Sequence, residues 1–113
     1  MKISMTCHLD DQPFNLIAVG MKTIEMRLYD EKRQMIKEGD FIEFVNRVTN
    51  AAIVTKVKAL HIYKSFEELY KHFDKTALGY LEDEEANPSD MEKYYSKEEQ
   101  EKYGVVGIEL EKV

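Results

Sequence analysis

The sequence predicts an α+β fold: a small closed or partly closed β-barrel of about five or six mostly antiparallel strands with short flanking helices. Three observations lead there. Segments of period-two alternation recur along the chain and are joined by short turns, which favours antiparallel neighbours. The helical patterns are short, and they fit the flanks of a barrel better than a doubly wound sheet. The order read along the chain is β-α-β-turn-β-β-α-(α)-β, and 113 residues suit one domain over 1–113.

"MKISMTCHL" alternates in part and reads as the first strand. Asp10 or Asp11 can cap the next element, "QPFNLIAVG", with Pro13 in its first turn. Phe14, Ile17 and Ala18 share a helical face, and Gly20 is a natural stop. "KTIEMRL" alternates strictly, with Thr23, Glu25 and Arg27 on one face and Ile24, Met26 and Leu28 on the other. "DEKRQMIKEGD" reads as a turn or short helix closing at Gly39. "FIEFVN" is a strand, and "AAIVTKVKALHIY" is the longest β-rich run. Its alternation sets Ile53, Thr55, Val57 and Ala59 opposite Val54, Lys56, Lys58 and Leu60. Ser65 and Glu68 form a capping-box signature ahead of "FEELYKHF", which shows Phe66, Leu69, Tyr70 and Phe73 on one face. The acidic stretch that follows holds short helices interrupted at Asn87 and Pro88, with a second capping signature at Ser96 and Glu99. It is expected to cover one edge of the barrel. "GVVGIELEKV" is the closing strand.

Composition excludes several classes. There is no apolar run of about 18 residues, and acids at Asp10 and Asp11 precede any signal-peptide core, so the expectation is a soluble, non-secreted, cytoplasmic protein. The single cysteine, Cys7, has no internal disulfide partner and no zinc-ligand spacing, and reads as a buried small hydrophobe. His8, His61 and His72 are scattered and make no ligand spacing. Neither metal nor cofactor is expected. The formal net charge of −6 argues against a non-specific nucleic-acid coat. That acidity is local, because residues 82–102 hold nine acids and three lysines, which leaves the remainder of the chain neutral and open to a cationic pocket.

The functional question turns on "GMKTIEMRLYDEKRQ", residues 20–34. On a strand, Thr23, Glu25 and Arg27 recur every second residue, about 6.6 Å apart, and point the same way. Arg27 offers a planar fork of donors suited to phosphate, carboxylate or a base edge. Glu25 accepts from an exocyclic amine, and Lys22 sits where it can swing to the same mouth. The plain alternative is a solvent-facing strand with an exposed ion pair worth under about 1 kcal/mol.

Gly20, Lys22, Glu25 and Arg27 in "GMKTIEMR" match the GxKxxExR signature of the activating signal cointegrator homology (ASCH) domain. The following basic turn, the Gly39–Asp40 pair opening the next strand and the closing "YGVVGIEL" are also similar, so the resemblance covers most of the chain. It implies a PUA-like β-barrel in a superfamily linked to RNA, with the signature residues lining a cleft for RNA or a modified nucleoside or nucleotide-like ligand. It also implies a hydrolase alternative. One bacterial branch of the family cleaves the amide of N4-acetylcytidine with a lysine at the position of Lys22, a threonine at the position of Glu25 and a later glutamate. Here Lys22 is in place, Glu25 replaces the threonine, and Glu67 or Glu68 is available as the carboxylate. Ribonuclease chemistry is a further alternative, with Glu25 as base and Lys22 or Arg27 stabilising the phosphorane.

The expected site is therefore Lys22, Thr23, Glu25, Arg27, Tyr29 and Arg33, with Lys22 and Glu25 catalytic if the protein is an enzyme. Tyr29, Tyr94 and Tyr95 are placed to stack on a base, whereas Tyr63, Tyr70 and Tyr103 read as core-margin packing. Lys32, Arg33 and Lys37 are available to phosphates, or form a solvated turn with Asp30 and Glu31. A third reading makes the acidic 82–102 segment a protein-interaction surface.

Overall fold

The computed structural model describes residues 2–113. Five strands form a single sheet: β1 (Ile3–Leu9), β2 (Ile24–Leu28), β3 (Phe41–Asn46), β4 (Ala52–Tyr63) and β5 (Val105–Lys112). Around it lie short helices: α1 (Asp11–Ala18), α2 (Glu31–Gln34), α3 (Phe66–Tyr70), α4 (Lys75–Leu78), a 3-10 turn (Pro88–Lys93) and α5 (Lys97–Tyr103). The spatial order is β1-β3-β4-β5-β2. β3–β4, β4–β5 and β5–β2 pair antiparallel, and β1–β3 is parallel. The sheet curls into a half-barrel of α+β class with β1 and β2 as its two edges.

The curl creates two apolar cores on opposite sides of the sheet. The inner one gathers Met5, Cys7, Phe14, Ile42, Phe44, Val57, Val106 and Ile108. The outer one is formed where the helices after Ser65 pack onto the β2–β5 end, through Phe66, Leu69, Leu78, Met91, Ile24 and Met26. Phe44 and Phe66 are essentially inaccessible and anchor one core each; truncating either to alanine costs about 3–5 kcal/mol. Cys7 is buried as expected, and desolvation pushes its thiol above the ordinary range.

Several local expectations are met and others corrected. Ser96 and Glu99 close a complete capping box on α5. At α3 the box is half made: Ser65 accepts from the Glu68 amide, while the Glu68 side chain pairs with Lys71 instead. α3 ends at Tyr70, short of the expected Phe73. The alternation of β4 is broken by a register shift between Val57 and Ala59, so Leu60, rather than Ala59, follows Val57 into the inner core. A bulge of this kind strengthens the local twist and helps curl the sheet. Gly107 sits where the outer face is closely packed: a Cβ there would lie 3.1 Å from Ile24 Cγ2. Among the described residues, no helix is long and apolar enough to cross a membrane.

Candidate functional site

The pairing of β2 with β5 decides which way its side chains face. Glu25 lies opposite Ile108 and Arg27 opposite Val106, both inner-core residues, whereas Met26 lies opposite Gly107 on the outer side. Directly opposed residues share a face, so the polar face of β2 points into the concavity and its apolar face packs under the helices. Glu25 is therefore only 3% exposed, and the solvent-washed alternative for this strand is overturned. Both faces of the strand are covered because the half-barrel wraps one and the helical insert the other.

Glu25 lies between two cations. Lys22 Nζ is 2.9 Å from Oε1, and Arg27 donates to Oε2 from Nη2 at 2.7 Å and from Nε at 2.9 Å. Burial alone would raise the Glu25 carboxyl; Lys22 and Arg27 outweigh it and hold it below the ordinary carboxylate range. For Arg27, burial works against the charge and Glu25 more than offsets it, so the guanidinium stays ionised. With two cations and one anion, the triad carries one net positive charge. Among the described residues, Arg27 Nη1 has no hydrogen-bond partner, so one side of the fork remains available.

The position of Lys22 is built from two directions. Its backbone amide, like that of Met21, donates to Leu16 O at the end of α1. Its aliphatic stem lies against Gly79, which ends α4 at φ +104°; a Cβ on Gly79 would come within 3.0 Å of Lys22 Cδ. Glycine there satisfies the left-handed backbone and leaves the stem its track.

The triad opens into a cleft of about 360 Å³ between the β1 end, β2 and the helical insert. Lys22, Arg27, Arg47 and Lys93 line it, as do Asp10, Glu25, Glu84 and Asp90, so its charges balance. Tyr94 and Tyr95 line it as well, and Tyr94 is among the most exposed aromatic side chains. Thr23, Tyr29 and Arg33 are not part of this lining. The Thr23 amide donates to Ala77 O, and its carbonyl accepts from Leu110. Tyr29 packs on the inner core. Arg33 is paired with Asp30 at 2.9 Å, and the Lys37 backbone amide donates to the Asp40 side chain. Glu68 is engaged with Lys71, and Glu67 lines a separate polar groove beside Asn87 and Lys97. The sequence reading missed His8, Tyr70, Tyr80 and Asp90 as cleft residues. No strand or helix periodicity aims them at one point; the meeting of the β1 end, which carries His8, with the folded insert does.

The family model of the ASCH domain matches residues 8–113. The crystal structure of the hypothetical protein PH0355 superposes with a TM-score of 0.74 at 33% identity, covering 96% of this chain and 98% of that one. The solution structure of protein PF0455 from Pyrococcus furiosus gives 0.71 at 34% identity, with 96% of each chain covered. An S128A mutant of ZmASCH from Zymomonas mobilis gives 0.68 at 14% identity, covering 96% of this chain and 68% of that one, a likeness of fold alone. No curated protein sequence matches.

Proposed function

The chain belongs to the ASCH domain family, and from that premise we propose that its cleft binds a nucleoside-sized guest, either a modified nucleoside or a single nucleotide of RNA turned into the cleft. The observation that carries this reading is the pairing of a small concave volume of about 360 Å³ with a half-free arginine fork. The volume is at the low end for ligand sites. A groove that tracks a polynucleotide backbone needs a surplus of positive charge, whereas this lining is balanced. Arg27 is held flat by Glu25 and offers its remaining donors to a carbonyl or phosphate oxygen. Tyr94 supplies an exposed aromatic face for a planar ring, while Tyr95 is stacked on Phe66 and packed against the outer core.

The same geometry bears on the hydrolase alternatives. A general base works best with a pKa near the working pH. Both oxygens of Glu25 are engaged and its carboxyl is held low, so its role is to position Lys22 and Arg27. This supports binding over Glu25-based RNA cleavage.

The test is a titration of isotopically labelled protein with cytidine, adenosine, N4-acetylcytidine and a short single-stranded RNA, followed by amide chemical shifts. Shifts should concentrate on residues 22–28 and 88–95. Arg27→Lys retains a cation for Glu25 but loses the planar fork, and should weaken binding about tenfold. Absence of binding by all four probes, or binding that ignores this substitution, would overturn the reading. Mass spectrometry of the N4-acetylcytidine sample serves as the enzymatic check: turnover that disappears in Lys22→Ala would replace a binding role with a catalytic one.

A further inference from the structure

The insert contributes a second wall to the cleft, and its hydroxyl groups are ordered by a short relay. Tyr80 Oη lies 2.7 Å from Asp90 Oδ2, 3.2 Å from the Asn87 carbonyl oxygen and 2.9 Å from Tyr70 Oη. A tyrosine has one proton to donate. The carboxylate is the charged acceptor and the shortest contact, so Tyr80 donates to Asp90. The Tyr80 oxygen then accepts the proton of Tyr70. The two rings meet edge-to-face at 6.0 Å, which fixes their relative orientation. Burial pushes both phenols above their ordinary range, with the mutual hydrogen bond adding to it at Tyr70, so both remain neutral hydroxyls.

The consequence is directional. The only hydrogen of Tyr70 is committed to Tyr80, and what Tyr70 can offer the cleft it lines is an oxygen lone pair. The β2 wall has donors to give, from Lys22 and Arg27, whereas on the insert wall Tyr70 offers an acceptor, beside the carboxylates of Glu84 and Asp90 and the ammonium of Lys93. We propose that Tyr70 is a specificity-determining residue, a hydrogen-bond acceptor held in one orientation by Tyr80 and Asp90, which selects guests presenting an amino group to the insert wall. Amino-bearing nucleobases fit this polarity. Their near-isosteric carbonyl counterparts set lone pair against lone pair at the exocyclic position and carry a donor only on the adjacent ring nitrogen, out of register with Tyr70, so they bind less well. The inference rests on the reading of the cleft as a nucleoside site and adds to it which edge chemistry the site accepts.

Two near-isosteric pairs supply the test: cytidine against uridine, and adenosine against inosine, titrated calorimetrically into the full chain. The wild-type protein should favour the amino member of each pair by about tenfold, the scale of one net hydrogen bond. Tyr70→Phe keeps the ring and should bring the amino member down to the affinity of its counterpart. Tyr80→Phe frees the Tyr70 hydroxyl to rotate and donate, so uridine and inosine should bind more tightly than to wild type and the ratio should fall toward one. A merely structural defect would weaken all four ligands together and leave the ratio unchanged. Nucleosides that bind with the same ratio in all three proteins would overturn this inference alone. No binding of any nucleoside to the wild type would overturn it together with the reading of the cleft.

Discussion

Two carboxylates on neighbouring strands each stand between two bases, and they differ in the side of the sheet they occupy. Glu25 of β2 is held by Lys22 at 2.9 Å and Arg27 at 2.7 Å, and its side chain is 4% exposed. Glu109 of β5 meets His61 at 2.8 Å and Lys58 at 3.6 Å, and its side chain is 28% exposed. The β2–β5 register puts Ile24 opposite Glu109 and Glu25 opposite Ile108, so the two carboxylates point to opposite faces. The residue types are nearly the same, but the surroundings are not. Within the concavity little water screens the charges and each unmade bond is expensive; on the outer face water and salt moderate both. An acid flanked by bases marks a site only when the fold closes over it.

Removing each carboxylate in turn separates the two environments. Glu25→Ala leaves two mostly buried cations without their counter-ion and should cost about 3–5 kcal/mol. Glu109→Ala should cost no more than about 1 kcal/mol. Urea denaturation of the two variants reads both values, and an equally small cost for Glu25→Ala would show that the inner triad is solvated after all.

Acid titration sharpens the same contrast. Because the folded carboxyl of Glu25 lies below its ordinary value of 4.5, the unfolded chain takes up this proton first as the pH falls. The stabilisation from Glu25 is thus complete above about pH 4.5 and is lost as the pH drops through the folded value. Glu25→Gln should lower stability at pH 7 and flatten the acid limb of a urea-midpoint profile between pH 7 and 3. A limb as steep in the variant as in the wild type would assign acid sensitivity to other groups.

A third perturbation reaches the triad from outside. Gly79→Ala forces a Cβ into a left-handed position and against the Lys22 stem. The backbone alone makes this cost about 1–2 kcal/mol, and displacement of Lys22 should also weaken ligand binding. Stability loss with ligand affinity untouched would show that Lys22 does not depend on this contact.

The strands were legible in the sequence because period-two alternation is a local signal, and the polar face of β2 was legible as Thr23, Glu25 and Arg27. Which face would be buried was not legible. Alternation gives the same pattern for an outward polar face as for a polar face turned into a half-barrel, and only pairing with Val106 and Ile108 resolves it. The bulge after Val57 was hidden for a similar reason, since Lys58 continues the alternation by type. The signature spacing brought Lys22, Glu25 and Arg27 forward, and the structure places them together. The turn residues Tyr29 and Arg33 shared their stretch of sequence but not their location. Tyr80 and Asp90 could not be found at all, because their convergence with Tyr70 depends on how α3, α4 and the 3-10 turn pack on β2.

The smallest expected effect lies at the rim of the same cleft, and it tests whether burial rather than membership of the lining sets the energy of an ion pair. Arg47 Nη1 and Asp10 Oδ1 are 3.2 Å apart, with side chains 59% and 67% exposed. They face the cleft that holds Glu25, yet both ends are in water, where Coulomb gain and side-chain entropy nearly cancel. Arg47→Gln should therefore change stability by no more than about 0.5 kcal/mol, and the difference should shrink further when urea denaturation is repeated at high salt. A salt-insensitive loss approaching that of Glu25→Ala would mean that the low-dielectric interior extends to the rim. The cleft would then be deeper and drier than its balanced, partly open lining indicates.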